Sequence, residues 1–304
     1  MPLIPDKSNI LQLEKTAAEL RLSMVNMLQT AGGGHFGGGL SAIDILTVLY
    51  FHVLRIDPAN PRWAERDRFV LCKGHANCAY SPTLAKRGFF SEDLLKTYGQ
   101  LDSHFGMHPD MNKIPGCDMS TGSIGHGTPL AVGMALAARV LKKDYRVFVL
   151  LGDGSLMEGS TWEAALIAAQ YRLENLCVIV DRNRFTCDGP TDGLGDSQDC
   201  YGIRGTLSLE PVEDKWRAFG WHALRCDGHD IAQLVQAFQQ AAQMKGKPTA
   251  IIADTVKGKG LPFLENRGEY HYTHLTDVQY QQALTLLAGQ MDALQQSIEA
   301  GGDQ

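Results

Sequence analysis

The sequence predicts an α/β protein, a doubly wound and mostly parallel sheet with helices on both faces. Two observations lead there. Short runs that are apolar throughout, "VFVLL" (147–151), "LCVIV" (176–180) and "TAIIADTV" (249–256), alternate with stretches of helical length. Strands that are apolar on both faces belong in a sheet covered by helices, and strand–helix–strand alternation is the rhythm of parallel crossovers. The 304 residues are ample for a proper core.

The elements follow in order. Leu13, Ala17, Leu20, Met24 and Met27 fall on one face of a helix over 10–28, which the glycine cluster "AGGGHFGGG" stops. A second helix is expected over 41–54. "RFVLC" (68–72) reads as a buried strand. Thr128 and Pro129 read as an N-cap with proline at the first helical position, opening a helix to about residue 142. Strand 147–151 comes next, then a helix over 160–172 and strand 176–180. "WHALRC" (221–226) is a further strand, Asp230 caps a helix ending near Gly246, and 249–256 closes the sheet. The stretch 183–215 is rich in Gly and Asp and lacks periodicity, so it reads as a long active-site loop. The tail carries Leu284, Leu287, Met291, Leu294 and Ile298 at helical spacing. The expected division is a domain over 1–276 and a helical tail over 277–304, packed on this domain or on a partner.

Composition narrows the function. The net charge is −6 and there is no block of Lys or Arg, which argues against nucleic acid or a polybasic membrane contact. The start, "MPLIPDKSN", does not read as a signal peptide, and the apolar run 130–141 is broken by Arg139 and too short to span a bilayer. Seven cysteines without a CxxC pair suggest a reduced, cytoplasmic setting.

One loop carries most of the chemistry. "GDGSLMEG" (152–159) leaves the carboxyl end of one apolar strand, and "DRNRF" (181–185) leaves the next. Ligands of such sheets sit at the carboxyl ends of the strands. If the two strands are neighbours, Asp153 and Asn183 face one crevice with hard oxygen ligands. Magnesium takes a few oxygens from protein and the rest from phosphate and water. The glycines let a phosphate approach, and the following helix points its positive N-terminal dipole at it. The plainer alternative is a tight strand-to-helix turn whose aspartate caps the helix.

Several stretches together resemble the transketolase family. Gly152-Asp153-Gly154 followed about thirty residues on by Asn183 is similar to the thiamine diphosphate motif. "GGGHFGGGLSAIDIL" (32–46), "RFVLCKGHANCAY" (68–80), "MHPDMNKIPGCDMSTGSIGHG" (107–127) and "DTVKGKG" (254–260) resemble further family segments, in family order. The resemblance implies Mg²⁺ held by Asp153, Asn183 and the carbonyl of Phe185. It implies a diphosphate held by the metal, the Gly154 amide, His75 and His271. Gly122, Ser123 and Ile124 would line the cofactor, and Glu158 would join a carboxylate network reaching a partner chain. His35, His75, His108 and His271 would surround the donor sugar, where imidazole suits proton transfer near neutral pH. His52, His104, His222 and His229 are expected to be surface or satisfied core residues.

Departures from the family pattern bear on the substrate. His126 stands where glutamine is more usual, Phe36 where proline is frequent, and "GEYHYTHLT" (268–276) replaces a Trp-His-Gly type of segment. Arg182 and Arg184 flank Asn183 and read as solvated loop charges, with an anionic substrate group as the alternative. The resemblance covers the diphosphate-binding domain alone. It therefore implies an N-terminal subunit of a split transketolase, an α2β2 assembly with a C-terminal subunit carrying the pyrimidine-binding domain, and sugar or sugar phosphate substrates. The alternatives are the alpha subunit of a 2-oxo-acid dehydrogenase decarboxylating component, a deoxyxylulose phosphate synthase-like enzyme, or a non-catalytic cofactor-binding subunit.

Overall fold

The five strands β1 (Arg68–Leu71), β2 (Val147–Gly152), β3 (Leu176–Arg182), β4 (His222–Asp227) and β5 (Thr249–Asp254) form one parallel sheet in the order β1-β2-β3-β5-β4. The computed structural model describes residues 6–192 and 207–302. Eight α-helices are described: α1 (Lys7–Thr30), α2 (Phe36–Val48), α3 (Asn77–Arg87), α4 (Gly127–Val140), α5 (Gly159–Gln170), α6 (Val212–Ala218), α7 (Ile231–Gln243) and α8 (Asp277–Gly302).

Alternation along the strands builds two cores. Phe148, Leu150, Ile179 and Ile251 point to the face covered by α1, α2, α3 and α7. Val147, Val149, Leu151, Val178, Val180 and Ile252 point to the face covered by α4, α5 and α6. This is the period-two geometry of a strand buried on both sides. The chain moves outward from β1 to β3 with α4 and α5 on one face. It reverses between β4 and β5, and α7 then lies on the other face, as right-handed crossovers require. The expected doubly wound fold is the one observed.

Several boundaries differ from expectation for physical reasons. Gly32 and Gly33 have positive φ and end α1, but Gly37, Gly38 and Gly39 lie inside α2, which starts five residues earlier than expected. These glycines answer close approach: a Cβ on Gly37 would lie 2.8 Å from Lys257 Cε, and one on Gly39 2.5 Å from Met24 Cε. Helix α4 begins at Gly127 with His126 at the N-cap, so Thr128 and Pro129 sit within its first turn. A Cβ at Gly127 would meet Cys72 Cβ at 2.6 Å, and only glycine lets α4 start so close to β1. Strand β3 runs two residues further than expected and carries Asp181 and Arg182 into the sheet. Within the stretch read as a loop, α6 opens at Val212 and buries Trp216 against Trp162 and Trp221; residues 193–206 of it lie outside the described residues. Among the described residues, the helical segment long and apolar enough to cross a membrane is Phe36–Val53 rather than 130–141, and it is nearly all buried in the fold.

Both sheet edges are finished locally. At β1, Asp118 Oδ2 accepts from the Phe69 amide (2.8 Å) and the Thr121 hydroxyl donates to the Leu71 carbonyl (2.7 Å). At β4, Arg225 pairs with Asp254 and Glu210. Helix α8 lies on α1: Tyr280 donates to Asn26 (2.7 Å), Lys15 donates to Gln295 (2.7 Å), and Ala283 and Leu287 are buried. Leu287 is fully enclosed, so Leu287→Ala removes about 2–5 kcal/mol of stability. Urea unfolding checks this, and the expected signature is a lower midpoint with faster exchange of α8 amides.

Candidate active site

The carboxyl ends of β1, β2, β3 and β5 converge on a cleft of about 220 Å³. Its walls include Lys73 and His75 after β1, Asp153, Gly154 and Glu158 after β2, Asn183 and Phe185 after β3, and Lys257 and His271 after β5. Neighbouring strands do bring Asp153 and Asn183 together, since Gly152 is registered with Asp181.

Below the cleft lies a buried ion pair that sequence reasoning missed. Lys73 and Asp181, both essentially without solvent contact, form a short ion pair. Asp181 also accepts from Ser41 (2.7 Å) and Thr255, and the Lys73 ammonium donates to the Gly38 carbonyl (2.9 Å). Burial of the remaining polar atoms follows the rule that interior charges are paired and hydrogen-bonded. Lys257 is the second buried lysine. Desolvation, reinforced by Lys73, lowers it to about 8, and its Nζ lies 3.0 Å from His271 Nδ1. Both lysines stand in segments singled out from sequence, "CKGHA" and "VKGKG", which was the available signal.

Asp153 is buried, and desolvation raises it to about 6 against the opposing charge of Arg182. Arg182 Nη1 donates to Asp153 Oδ1 (2.7 Å) and the Arg184 amide to Oδ2 (2.6 Å). The reading of Arg182 as a solvated loop charge is therefore corrected. Its side chain is inaccessible and pairs with Asp153, Asp192 and Glu210, because β3 extends far enough to carry it inside. Arg184 is exposed. Asn183 is buried, donating to Ser41 (3.3 Å) and accepting from the Phe185 amide (3.0 Å). The Phe185 ring faces Lys257, 5.3 Å from Nζ to centroid.

The histidines fall into two groups. His35, His75 and His271 form a cluster with ring centroids 5.1–5.4 Å apart. Burial and the nearby lysines keep them neutral: His271 is lowered to about 3, His35 to about 4, and His75 lies well below its ordinary range. His35 Nδ1 is buried without a hydrogen-bond partner among the described residues. His108 is exposed on its loop and stands outside the cleft lining. Its ring covers Gly122, where a Cβ would lie 3.4 Å from Cγ. Ile124 lines the cleft; Gly122 and the exposed Ser123 do not, and Gly122 instead packs on Gly74, whose Cβ would meet the Gly122 amide nitrogen at 2.8 Å. His126 is exposed, with Nδ1 3.4 Å from the Ile124 carbonyl. Among the expected bystanders, His229 is a satisfied core residue and His104 is exposed.

The donor set fits a metal-bound diphosphate. No group of three or more His, Cys, Asp or Glu among the described residues is placed to hold a metal. One carboxylate and one amide leave a hard cation to draw further oxygens from a bound anion, which is the habit of magnesium. Each carboxylate oxygen of Asp153 keeps a lone pair beyond its present bond. Lys257, His75 and His271 line the same cleft, whereas His35 packs behind His75 and His271 and is not part of its lining.

Comparison with known proteins decides the family. Residues 13–288 match the model of the transketolase thiamine diphosphate-binding domain. The chain belongs to the transketolase family. Its fold matches the Campylobacter jejuni transketolase crystal structure with a TM-score of 0.80 at 30% identity, over 99% of this chain and 47% of that one. It is 40% identical to human transketolase over 88% of this chain but 40% of that protein. The chain thus spans about half the length of these transketolases or less. Relatives of its own length exist: an apulose-4-phosphate transketolase subunit of Phocaeicola vulgatus is 37% identical over 93% of this chain and 96% of that protein. A 6-deoxy-6-sulfo-D-fructose transketolase subunit of a Clostridium species is 39% identical over 91% and 96%.

The neutral histidines have a consequence for this transketolase-family domain. Unfolded, an imidazole takes up a proton below about 6.5; folded, His35 and His271 accept one only near about 4 and about 3. The unfolded chain binds more protons over that window, so stability falls as pH drops through it. His271→Gln removes one such group. Thermal melts at about pH 7.5 and about pH 5 are expected to differ less in His271→Gln than in the parent chain.

Proposed function

We propose that this chain is the N-terminal subunit of a two-subunit transketolase that transfers a two-carbon ketol unit from a ketose donor, free or phosphorylated, to an aldose acceptor. The observation that carries the reading is the convergence of Asp153 and Asn183 with Lys257, His75 and His271 on one cleft at the carboxyl end of the sheet. In this reading Asp153, Asn183 and the Phe185 carbonyl hold Mg²⁺, and Gly154, His75 and His271 hold the diphosphate. Thiamine diphosphate, when bound, supplies the electron sink for carbon–carbon cleavage. The chain's own part is to seat the diphosphate end and to place His35, beside His75 and His271, against the donor hydroxyls. A neutral imidazole is competent to accept a hydroxyl proton there. His108, exposed at the outer side of Gly122, would meet the donor as it enters.

Activity requires a partner subunit in this reading. The chain has the length of relatives that are themselves named as transketolase subunits, and a protein named as a subunit supports a second chain beside it. The outer faces of α4 and α5, which pack on one another, expose Leu130, Val140, Leu141, Leu166, Ile167 and Tyr171. Such a concentration of apolar side chains is a surface for association. Glu158 stands at the N-cap of α5 and lines the cleft. We assign the pyrimidine-binding domain to the partner and the assembly to two copies of each chain.

Two experiments test the reading. Asp153→Ala is expected to weaken Mg²⁺-dependent binding of thiamine diphosphate by roughly 100-fold, measured by calorimetry on the assembled enzyme. Unchanged affinity would remove Asp153 from the metal site. The purified chain alone is expected to show no ketol transfer, with activity appearing when the partner is added. Full activity of the chain alone would sink the split-enzyme reading.

A further inference from the structure

Outside the cleft, a chain of buried polar groups runs from α1 to the loop that carries Lys257. Arg21 of α1 pairs with Asp44 of α2, and Asp44 Oδ2 lies 2.7 Å from His229 Nδ1. On the other side of the ring, the Val256 amide donates to His229 Nε2 at 2.8 Å. The side chains of Arg21, Asp44 and His229 are each less than a tenth exposed. Because a backbone N–H can only donate, Nε2 must be the acceptor, and the ring proton sits on Nδ1 facing the carboxylate. Asp44 thus selects the tautomer, and the tautomer fixes the backbone of Val256.

Val256 precedes Lys257, and that segment is tied to α2 a second time: the Gly258 amide donates to the Gly37 carbonyl at 3.0 Å. Lys257 in turn lies 3.0 Å from His271. The spacing between the N-terminal turn of α2, which follows His35, and the Lys257 loop is therefore set from behind by the imidazole of His229. We propose that His229 is a positioning residue for the cofactor cleft, acting through the Val256 amide to hold Lys257 and His271 in register with His35 and His75. The proposal rests on the reading of that cleft as the diphosphate site. It assigns His229 no contact with cofactor or substrate.

Two near-isosteric variants separate the two ends of the ring. His229→Gln reaches as far as Nε2 and keeps an acceptor for Val256. His229→Asn reaches only as far as Nδ1, keeping a partner for Asp44 and leaving the Val256 amide bare. In the cofactor-free chain, exchange of the Val256 amide is expected to accelerate by about tenfold or more in His229→Asn and to stay near the parent rate in His229→Gln. In the complex with the partner subunit, thiamine diphosphate is expected to bind about tenfold more weakly to His229→Asn and within about threefold of normal to His229→Gln. Combined with Lys257→Met, His229→Asn is expected to add little further loss, since both act on one group. Asp44→Asn, which lets the ring proton move to Nε2, serves as the second variant should His229→Asn not fold, with the same expected pattern. Parent-like exchange at Val256 in folded His229→Asn (or in Asp44→Asn where it stands in), parent-like cofactor affinity of that variant, or losses that multiply with Lys257→Met would each overturn the proposal. Failure of the parent complex to bind thiamine diphosphate would instead overturn the functional reading, while the exchange measurement still tests the clamp.

Discussion

Asp181, one residue from the end of β3, has no solvent contact, and its carboxylate gathers Lys73, Ser41 and Thr255 from three other parts of the chain. A bare carboxylate in that position is too costly to exist, so the three partners are obligatory. Removing one partner from a buried pair of this kind costs about 3–5 kcal/mol. The same contacts hold the ends of β1, β3 and β5 and the second turn of α2 in one place. Lys73 extends the constraint to the Gly38 carbonyl in the first turn of α2. The cleft inherits its shape from this floor.

Above that floor the electrostatics are layered. The ion pairs Lys73–Asp181 and Arg182–Asp153 neutralise charge at the bottom, and the imidazoles of His75 and His271 stand uncharged along the wall with His35 uncharged behind them. Desolvation does most of this, with the lysines adding to it. The result is a cleft in which uncharged imidazoles stand above paired charges.

The parts of this architecture legible in the sequence are those with local causes. β2, β3 and β5 announce themselves because a strand buried on both faces is apolar at every position, and Asp230 announces α7 because a cap bonds three residues away. Asp153 and Asn183 are legible because both follow such strands directly. Arg182 reads wrongly because its burial depends on Asp192 and Glu210, 10 and 28 residues away, and on a strand two residues longer than its apolar run. Asp181 is silent for the same reason, its lysine lying 108 positions away. The glycines of α2 point to a helix stop, since nothing local reveals that Lys257, His75 and Met24 will occupy the space beside them.

The closed edges of the sheet limit how this domain can meet another chain. Asp118 and Thr121 occupy outward backbone groups of β1, and β4 meets solvent with the charges of Arg225 and Asp227. A neighbouring polypeptide has no ladder to extend at β1 and a charged margin to overcome at β4. Recognition is therefore favoured at side-chain surfaces, which can be tuned residue by residue without altering the backbone scaffold. Those surfaces can diverge while the strand framework behind the cleft stays the same.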